Sequence, residues 1–328
     1  MRFSLVICTY MRPQPLLKLL KSVTTQTLYP DEILIIDGST NNDTKTILEE
    51  NPFKNLKYYK VDDSQRGLTK QRNFGISKVD KDSNIICFLD DDTVLEKDYF
   101  NFLIQTYNKE PNALAVGGYI TNEVSWAKSD NKQSTNKFYF DGFMRNEPSR
   151  FKIRRKLGLL PDTIPGFLPT FSHGRSVSFL PPSGKIYQVE QIMGGVSSYK
   201  KEVFDTLSFS TYFEGYGLYE DADFSLRLAK LGSLFINTNA RLSHYHDHRG
   251  RPNQYKYGKM VVRNGWYVWR VKYKSPSIKA TFKFYATVIV LTLIRLTNVY
   301  KTPKPAFTES LGRLVGLFSV LLNPPKIN

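Results

Sequence analysis

Short apolar runs alternate with amphipathic segments along the first 120 residues. Four runs of six or seven residues are rich in Ile, Leu, Val and Tyr, as buried strands are. Helix-like segments lie between them, the first with an apolar face behind Pro13. This alternation predicts an α/β fold with a mostly parallel sheet covered by helices. The predicted strands are RFSLVIC (2–8), EILIID (32–37), LKYYKV (56–61) and NIICFLD (84–90), and the predicted helices are 13–27, 42–50 and 67–79.

The pattern changes after this first part. Residues 121–190 mix Pro, Ser, Asn and aromatic residues without a clear period, so we expect an irregular segment there. Residues 219–231 favour a helix with acidic side chains in its first turn, and residues 234–244 favour a further strand.

Positive charge is concentrated at the C-terminal end. Residues 241–328 hold 16 Lys and Arg against two acids, whereas the rest of the chain holds 30 against 28. A basic tail on a near-neutral body predicts contact with an anionic surface, either nucleic acid or lipid headgroups. Cys8 and Cys87 lie inside predicted strands, which excludes a disulfide framework and favours a reducing compartment. The N-terminus lacks the pattern of a secretory signal, so we expect the cytosol.

Two apolar segments occur within this basic tail. Residues 284–294 are eleven apolar or weakly polar residues between Lys283 and Arg295, fewer than the roughly 20 that a bilayer span needs. We therefore expect this segment not to span. The next segment predicts an amphipathic helix lying on an anionic leaflet, although both helices could instead, or also, pack on the rest of the chain. Its apolar side would hold Phe307, Leu311, Leu314, Phe318, Leu321 and Leu322, opposite Glu309, Ser310 and Arg313.

Polar residues follow each of the four predicted strands, where parallel α/β sheets bind ligands. The sets are Thr9 to Arg12, Asp37 to Ser39, Asp62-Asp63, and the triplet Asp90 to Asp92. Adjacent charges about 4 Å apart repel by roughly 4 kcal/mol at an effective dielectric near 20, so the triplet predicts a positive partner. Carboxylates can hold a divalent cation, which would supply that positive charge.

Six motifs in a fixed order resemble the family 2 glycosyltransferases, nucleotide-sugar-dependent enzymes with the GT-A fold. The resemblance covers roughly residues 1 to 250. It implies a nucleotide-sugar-binding half at 1–120, an acceptor-side half of the same domain at 121–250, and a basic helical extension at 251–328. The motifs are SLVICTYMRP, IIDGST, GLTKQRNFGI, FLDDD, MGGVSSYKKEVF and YEDADFSLRLAKLG.

The resemblance makes FLDDD the DXD motif that holds Mn²⁺ or Mg²⁺. Asp92 would be the direct ligand, with Asp90 facing the ribose and Asp91 the donor's sugar or phosphate. Alternation along an extended segment also aims Asp90 and Asp92 to one side. His244 or His246 would add a metal or diphosphate contact, and we favour His244. The histidines of SHYHDHR could instead form an unrelated metal site or lie on the surface.

The resemblance also assigns the nucleotide pocket. Asp37 would accept the imide N–H of uracil or thymine, which favours UDP- or dTDP-sugars, and Arg72 would approach the nucleotide. Gly194 and Gly195 would bring backbone close to the donor, unless they form an ordinary turn. The remaining donor-binding residues would be Thr9, Tyr10, Arg12 and Ser39.

The acids of YEDADF provide the candidate base. By resemblance Asp221 takes the acceptor's proton, Glu220 orients the acceptor, and Asp223 faces elsewhere. A partly buried carboxylate can act in this way near neutral pH. The alternative is that these acids only complement the helix dipole, worth about 0.3 to 1 kcal/mol each.

Together these features predict a metal-dependent glycosyl transfer to a hydroxyl acceptor, either a glycan or a lipid-linked saccharide. The resemblance implies that a hexosyl or deoxyhexosyl group is transferred with inversion. Acceptor choice would be encoded in 121–190. We expect peripheral contact with the cytoplasmic face of a membrane and no nucleic acid partner, and the oligomeric state is left open. One alternative is a phosphatase of the haloacid dehalogenase type, because DDDTV loosely fits DxDx(T/V), although that motif normally follows the first strand. The other is a non-catalytic module that binds lipid or nucleic acid through the tail.

Overall fold

The computed structural model describes residues 1–129, 134–171, 173–213, 215–246 and 252–327. Within them, short 3₁₀ turns lie at Val177–Phe179, Lys201–Asp205, Thr211–Phe213 and Asn298–Tyr300. The helices are α1 (Pro13–Val23), α2 (Asp43–Glu50), α3 (Leu68–Lys78), α4 (Tyr99–Lys109), α5 (Ser149–Lys156), α6 (Glu220–Leu228), α7 (Gln254–Lys272), α8 (Ile278–Thr297) and α9 (Pro303–Leu322). The strands are β1 (Phe3–Thr9), β2 (Glu32–Asp37), β3 (Leu56–Lys60), β4 (Ile85–Asp90), β5 (Thr93–Leu95), β6 (Ala113–Ile120), β7 (Ala127–Lys128), β8 (Lys137–Phe140), β9 (Phe143–Asn146), β10 (Ile186–Val189), β11 (Val196–Lys200) and β12 (Ser233–His244).

The four strands predicted from the N-terminal pattern form a continuous parallel sheet, which confirms that part of the prediction. β1 pairs with β4 on one side and β2 on the other, and β3 follows β2. In register, Thr9 lies beside Asp37 and Cys8 beside Asp90. The polar residues that follow these strands therefore meet at one sheet edge.

Later strands extend this sheet with mixed directions. The order is β10-β12-β6-β11-β4-β1-β2-β3, and β5 pairs with β12 outside this path. β11 is antiparallel to both β4 and β6, and β12 is parallel to β6. The fold is thus a mixed α/β sheet flanked by helices, in which β1 to β4 form one parallel block and β6 with β12 a second parallel pair.

Helix α1 covers one face of this sheet. It begins at Pro13, as predicted, because proline fixes the φ angle that a first helical turn needs. Its apolar stripe is fully buried at Leu16, Leu19 and Leu20 and joins the core around Leu5. The spacing that predicted the helix is therefore the spacing that buries it.

The chain forms two compact units, Met1–Ser125 with Pro182–Gly250, and Trp126–Pro181 with Arg251–Asn328. We call them unit 1 and unit 2. Unit 1 contains the large sheet. The three parts expected from the sequence divide the chain by function, and that division stays a prediction.

Unit 2 contains regular structure that the sequence did not suggest. Residues 121–190 were expected to be irregular, but they include α5 and an antiparallel sheet of order β7-β9-β8. Strands of two to four residues give too few positions for a period to stand out. Helices α7, α8 and α9 pack around a core that includes Trp266, Trp269 and Phe284, where the rings of Trp269 and Phe284 stack 4.5 Å apart.

Residues 284–294 were expected to be too short to span a bilayer, but the helix that contains them is longer than this apolar run, so the expectation about length is wrong. The segment is part of α8, which has 20 residues, because Thr and Ala positions extend the helix beyond the apolar run. Two stretches, Ile278–Tyr300 and Pro303–Leu322, are long and apolar enough to cross a membrane by length and composition. Only 28% and 33% of their most apolar stretches are buried inside the protein.

Candidate active site

Strand β4 ends in the acidic triplet. Asp90 is its last residue, with a side chain 40% exposed. Asp91 is buried, and its oxygens accept hydrogen bonds from Thr9 Oγ1 at 2.6 Å and Arg12 Nη1 at 3.1 Å. Burial raises the pKa of Asp91 to about 7, although Arg12 and Thr9 oppose the rise. Arg12 also lies 3.4 Å from Asp92 Oδ2, so its guanidinium contacts both carboxylates.

Asp90, Asp92 and His244 form a set of possible metal ligands. Each offers one ligand atom, and these atoms lie within 4.8 Å of one another. The pairing of β5 with β12 places Thr93 opposite His244, which brings His244 Nε2 to 3.0 Å from Asp92 Oδ1. Two carboxylates and an imidazole suit Mn²⁺, and the carboxylates alone suit Mg²⁺. The residues present therefore fit the predicted cation.

Glu123 holds the other side of His244, and sequence analysis missed it. Its Oε1 atom lies 3.2 Å from His244 Nδ1 and 3.1 Å from His246 Nε2. Burial lowers the pKa of His244, but hydrogen bonds to Asp92 and Glu123 outweigh it and raise that pKa to about 10. No sequence signal connects residues 121 positions apart. His248, the third histidine of SHYHDHR, lies outside the described residues.

Asp37 occupies the end of β2 and is fully buried. Its Oδ1 accepts from the Ser39 amide and its Oδ2 from the Tyr58 hydroxyl, both at 2.8 Å. Ser39 in turn accepts from the Met11 amide at 2.7 Å. Burial and the hydrogen bond to Asp37 raise the pKa of Tyr58 above its ordinary value. Tyr58 was missed because its predicted strand had no marked polar position.

Tyr10 and Arg66 lie beside the Asp37 group. Tyr10 is 40% exposed, and the Arg66 guanidinium lies 6.0 Å from its ring centre. Arg66 also donates from Nε to the Gly38 carbonyl at 2.7 Å. An exposed ring next to a cation is suited to stacking on a flat polar group.

Arg72 lies between the acidic triplet and the start of α6. It forms an ion pair with Glu220 and lies 3.6 Å from Asp90 Oδ1. Both Arg72 and Glu220 are buried, and the guanidinium lies near the rings of Phe88 and Phe209. Burial raises the pKa of Glu220, and Arg72 opposes that rise. Glu220 thus positions Arg72.

Asp221 is the half-buried acid at the start of α6. Its Oδ2 accepts from the Gly194 amide at 3.2 Å, and its Oδ1 from the Ala222 amide at 2.8 Å. Burial raises the pKa of Asp221, and these two backbone hydrogen bonds oppose the rise. Asp223, as predicted, faces elsewhere: it is buried and lies 2.7 Å from Arg227 Nη2.

The glycine pair allows these groups to approach one another. A Cβ at Gly195 would lie 2.0 Å from Asp90 Oδ2. A Cβ at Gly194 would lie 2.6 Å from both Arg72 Nη1 and Glu220 Oε1. A side chain at either glycine would displace Asp90, or Arg72 and Glu220. This requirement for glycine is stricter than that of an ordinary turn.

All the candidate site residues predicted from the sequence belong to unit 1. Contacts link the acidic triplet to Thr9, Arg12, Arg72 and His244, and the glycine pair links it to Glu220 and Asp221. The Asp37 group joins through the Gly38 amide, which donates to the Thr9 carbonyl at 3.0 Å.

Known proteins resemble this chain in both sequence and fold. The model of "Glycosyl transferase family 2" matches residues 4–179. A glucosyl-dolichyl phosphate glucuronosyltransferase of Haloferax volcanii is 28% identical over 122 residues, which cover 37% of this chain and 38% of that protein. The O-antigen chain rhamnosyltransferase RfbN of Salmonella typhimurium is 28% identical over 119 residues, 36% of this chain and 37% of that protein.

A solved structure shares the fold. GalNAc-T7, crystallised with UDP, GalNAc and Mn²⁺, superposes with a TM-score of 0.52 at 16% identity, covering 79% of this chain and 47% of that one. The chain therefore shares the GT-A fold of this neighbour. The chain belongs to glycosyl transferase family 2, since the family model matches more than half of it. This membership does not support the phosphatase alternative.

Proposed function

We propose that this glycosyltransferase is metal-dependent and inverting, and that it moves a hexosyl or deoxyhexosyl group from a UDP- or dTDP-sugar to a hydroxyl of a glycan or lipid-linked acceptor. The observation that carries the proposal is the convergence of Asp90, Asp92 and His244 with Asp221 at one sheet edge. Cation ligands and a half-buried carboxylate in one place are the two groups that a single displacement needs.

Asp90, Asp92 and His244 would hold Mn²⁺ or Mg²⁺, which supplies positive charge to the departing diphosphate when bound. Arg12 adds fixed positive charge on the same side, since it contacts Asp91 and Asp92. Preorganised charge of this kind needs no rearrangement as the glycosidic bond breaks.

The nucleotide would lie at the Asp37 end of the sheet. We propose that Asp37 accepts the imide N–H of uracil or thymine, beside Thr9, Arg12 and Ser39, and that Tyr10 stacks on the base. In support, the Asp37 carboxylate is already oriented by the Ser39 amide and Tyr58. The structural neighbour was crystallised with UDP. The two named relatives are a glucuronosyltransferase and a rhamnosyltransferase, so we do not restrict the transferred sugar to either group.

Asp221 would take the acceptor proton. Its pKa is raised, so it is a stronger base than an exposed aspartate, and its backbone hydrogen bonds fix its position. Glu220, which the resemblance assigns to orienting the acceptor, would do so through Arg72, its buried ion-pair partner. The acceptor hydroxyl then attacks the anomeric carbon from the face opposite the leaving diphosphate, which inverts the configuration. Gly194 and Gly195 would let the donor's sugar lie against the backbone.

We also propose that the protein works in the cytoplasm as a peripheral protein of the membrane's cytoplasmic face. The basic C-terminal region supports this, because each Lys or Arg near an anionic leaflet contributes about 1 kcal/mol of attraction. A lipid-linked acceptor would be presented at the same surface.

Calorimetry with Mn²⁺ and UDP tests the central proposal. The wild-type protein should bind the two cooperatively, and Asp92→Ala should abolish this joint uptake and donor turnover. Asp82→Asn, at a carboxylate 75% exposed and outside the site, is the matched control and should bind normally. Equal UDP affinity with and without Mn²⁺ in the wild type would contradict metal dependence. A panel of nucleotide sugars, assayed for hydrolysis, would identify the donor.

A further inference from the structure

Helix α9 places its apolar side outward. Its buried residues are mostly small or polar, whereas Phe and Leu residues recur on the exposed side. A helix on a water-soluble protein shows the opposite arrangement. Small residues inside and large apolar residues outside are typical of helices that face lipid. The buried set is Ala306, Glu309, Ser310, Gly312, Gly316, Leu317 and Val320, and the exposed set is Phe307, Leu311, Leu314, Phe318, Leu321 and Leu322.

The small residues are needed for contact with α7. A Cβ at Gly312 would lie 2.1 Å from the Tyr255 carbonyl oxygen, and one at Gly258 would lie 2.1 Å from that of Glu309. Gly316 approaches the Lys259 carbonyl in the same way, at 3.0 Å. The two backbones therefore touch, which fixes which side of α9 faces inward.

The buried charge on α9 is neutralised locally. Glu309 Oε2 lies 2.7 Å from Arg295 Nε of α8, and its Oε1 lies 2.7 Å from Arg313 Nη2 of the same helix. A buried carboxylate needs such partners. This acid consequently offsets none of the positive charge of the neighbouring exposed lysines.

Helix α8 adds a second exposed apolar stripe. One side packs inward through Phe284 and Val288, which join the core around Trp269. The opposite side leaves large apolar residues in solvent, among them Phe282 at 72% exposure. We call the exposed apolar side chains of both helices the apolar layer. From α8 they are Ile278, Phe282, Ile289, Leu293 and Leu296, and from α9 they are the exposed set given above.

Positive charge lies at the ends of these two helices. Residues 278–326 contain seven Lys and Arg and a single acid, the buried Glu309. Four of the cations are exposed: Lys279, Lys301, Lys304 and Lys326. Exposed apolar helix faces with lysines at the helix ends match an anionic bilayer, whose interface takes up apolar side chains and whose headgroups attract cations.

We propose that the apolar layer inserts into one leaflet of an anionic bilayer, with α8 and α9 lying in the membrane plane. The inference refines the proposed membrane contact and does not depend on glycosyl transfer. The in-plane orientation follows from α7, which packs along α9 and carries the exposed Lys256 and Lys259. If α9 crossed the bilayer, both lysines would enter it, at about 2.5–3.5 kcal/mol each at the centre.

Vesicle co-sedimentation of the full chain tests the layer. The wild type should bind vesicles of phosphatidylcholine with phosphatidylglycerol, and bind at least about tenfold less to phosphatidylcholine alone. Leu311→Gln with Phe318→Gln should weaken binding to the anionic vesicles at least about tenfold, because two apolar side chains that enter the leaflet are replaced by polar ones. Leu231→Gln, at an apolar residue 60% exposed in unit 1, is the control and should bind like the wild type. Unchanged tryptophan fluorescence would show that the double variant folds.

A cysteine between the two helices distinguishes lying from spanning. Lys301→Cys on protein bound to sealed anionic vesicles should react with a membrane-impermeant maleimide, as should Lys274→Cys before α8. Protection of position 301 until detergent is added, with position 274 reactive, would show a spanning hairpin and overturn the in-plane arrangement.

Two further outcomes would overturn the proposal itself. One is unchanged vesicle binding by the double variant. The other is a dimer in solution that the same double variant dissociates, since a second copy would then cover the layer. Cooperative UDP and Mn²⁺ binding, measured without vesicles, reports on the donor site separately, so a failure there leaves the membrane result interpretable.

Discussion

Asp221 differs from its neighbouring acids because its hydrogen bonds come from backbone amides, whereas Glu220 and Asp223 face arginines. Asp221→Asn should leave UDP affinity unchanged and lower kcat about 10²- to 10⁴-fold, the usual contribution of a positioned base. Steady-state kinetics with calorimetry for UDP would check this. An unaltered transfer rate would refute the assignment.

The pH dependence gives a second readout of the same residue. Burial raises the pKa of Asp221, and a base acts only when deprotonated, so kcat/KM should rise with pH through that raised pKa and then level off. The rise should disappear in Asp221→Asn. A profile that keeps the same ascending limb in the variant would place the base elsewhere.

Glu123 should determine how firmly His244 binds metal. It holds the Nδ1 side of the ring, which leaves Nε2 toward Asp92, and carboxylates in this position orient histidine ligands. Glu123→Ala should weaken Mn²⁺ affinity about 10- to 100-fold in the presence of UDP, and Glu123→Gln should retain most of it. Isothermal titration with Mn²⁺ would measure both, with the exposed Glu49→Ala as control. Wild-type affinity in Glu123→Ala would show that His244 needs no such support.

At the scale of elements, the contact between α7 and α9 depends on glycine. Gly312→Leu should destabilise unit 2 by about 1–3 kcal/mol, because the two backbones would have to separate. All three tryptophans of the chain, Trp126, Trp266 and Trp269, belong to unit 2, so their fluorescence during urea unfolding reports on that unit. Leu314→Ala, on the exposed side of the same helix, should change stability by less than about 0.5 kcal/mol. Equal midpoints for Gly312→Leu and the wild type would contradict close packing.

Elements with a clear period could be predicted from the sequence, and elements defined by distant pairing could not. β1 to β4 and α1 follow directly from alternation and from the stripe at Leu16, Leu19 and Leu20. The antiparallel place of β11 between β4 and β6 depends on contacts across 80 residues or more, which no local pattern encodes.

The same limit applies to the site. Asp90, Asp92 and Asp221 could be predicted from the sequence, because each belongs to a group of acids at the end of a predicted strand or helix. Glu123 and Tyr58 could not be predicted, because each contributes only through a contact with a residue distant in sequence. Glu123 contacts His244, and Tyr58 contacts Asp37. The stripe on α9 was visible in the sequence, but which side of it faces inward depends on the glycine contact with α7.

On the scale of the whole molecule, the C-terminal helices complete a unit that begins at residue 126. Trp269 Nε1 donates to the Thr170 carbonyl at 2.9 Å, and Lys272 donates to that of Leu168 at 2.9 Å. Phe171 lies in the same core as α8 and α9. The basic tail is therefore part of a folded unit that also includes Trp126–Pro181.

A chain ending at residue 246 should consequently be poorly soluble, although it keeps every candidate site residue. Removing α7 to α9 exposes the apolar side of residues 126–181, and such surfaces associate. Soluble yield and light scattering would measure the effect, with a chain ending at residue 323 as control. A monodisperse truncated protein with normal UDP binding would show that unit 2 does not need its helices.

The two cysteines offer a practical advantage. Burial raises the pKa of the Cys8 thiol to about 12 and that of Cys87 still further, so neither forms much thiolate at neutral pH. Alkylating dyes and spin labels attack the thiolate. A single cysteine engineered on the surface should therefore react selectively in the otherwise natural chain, which makes site-directed fluorescence and electron paramagnetic resonance feasible without first replacing the native thiols.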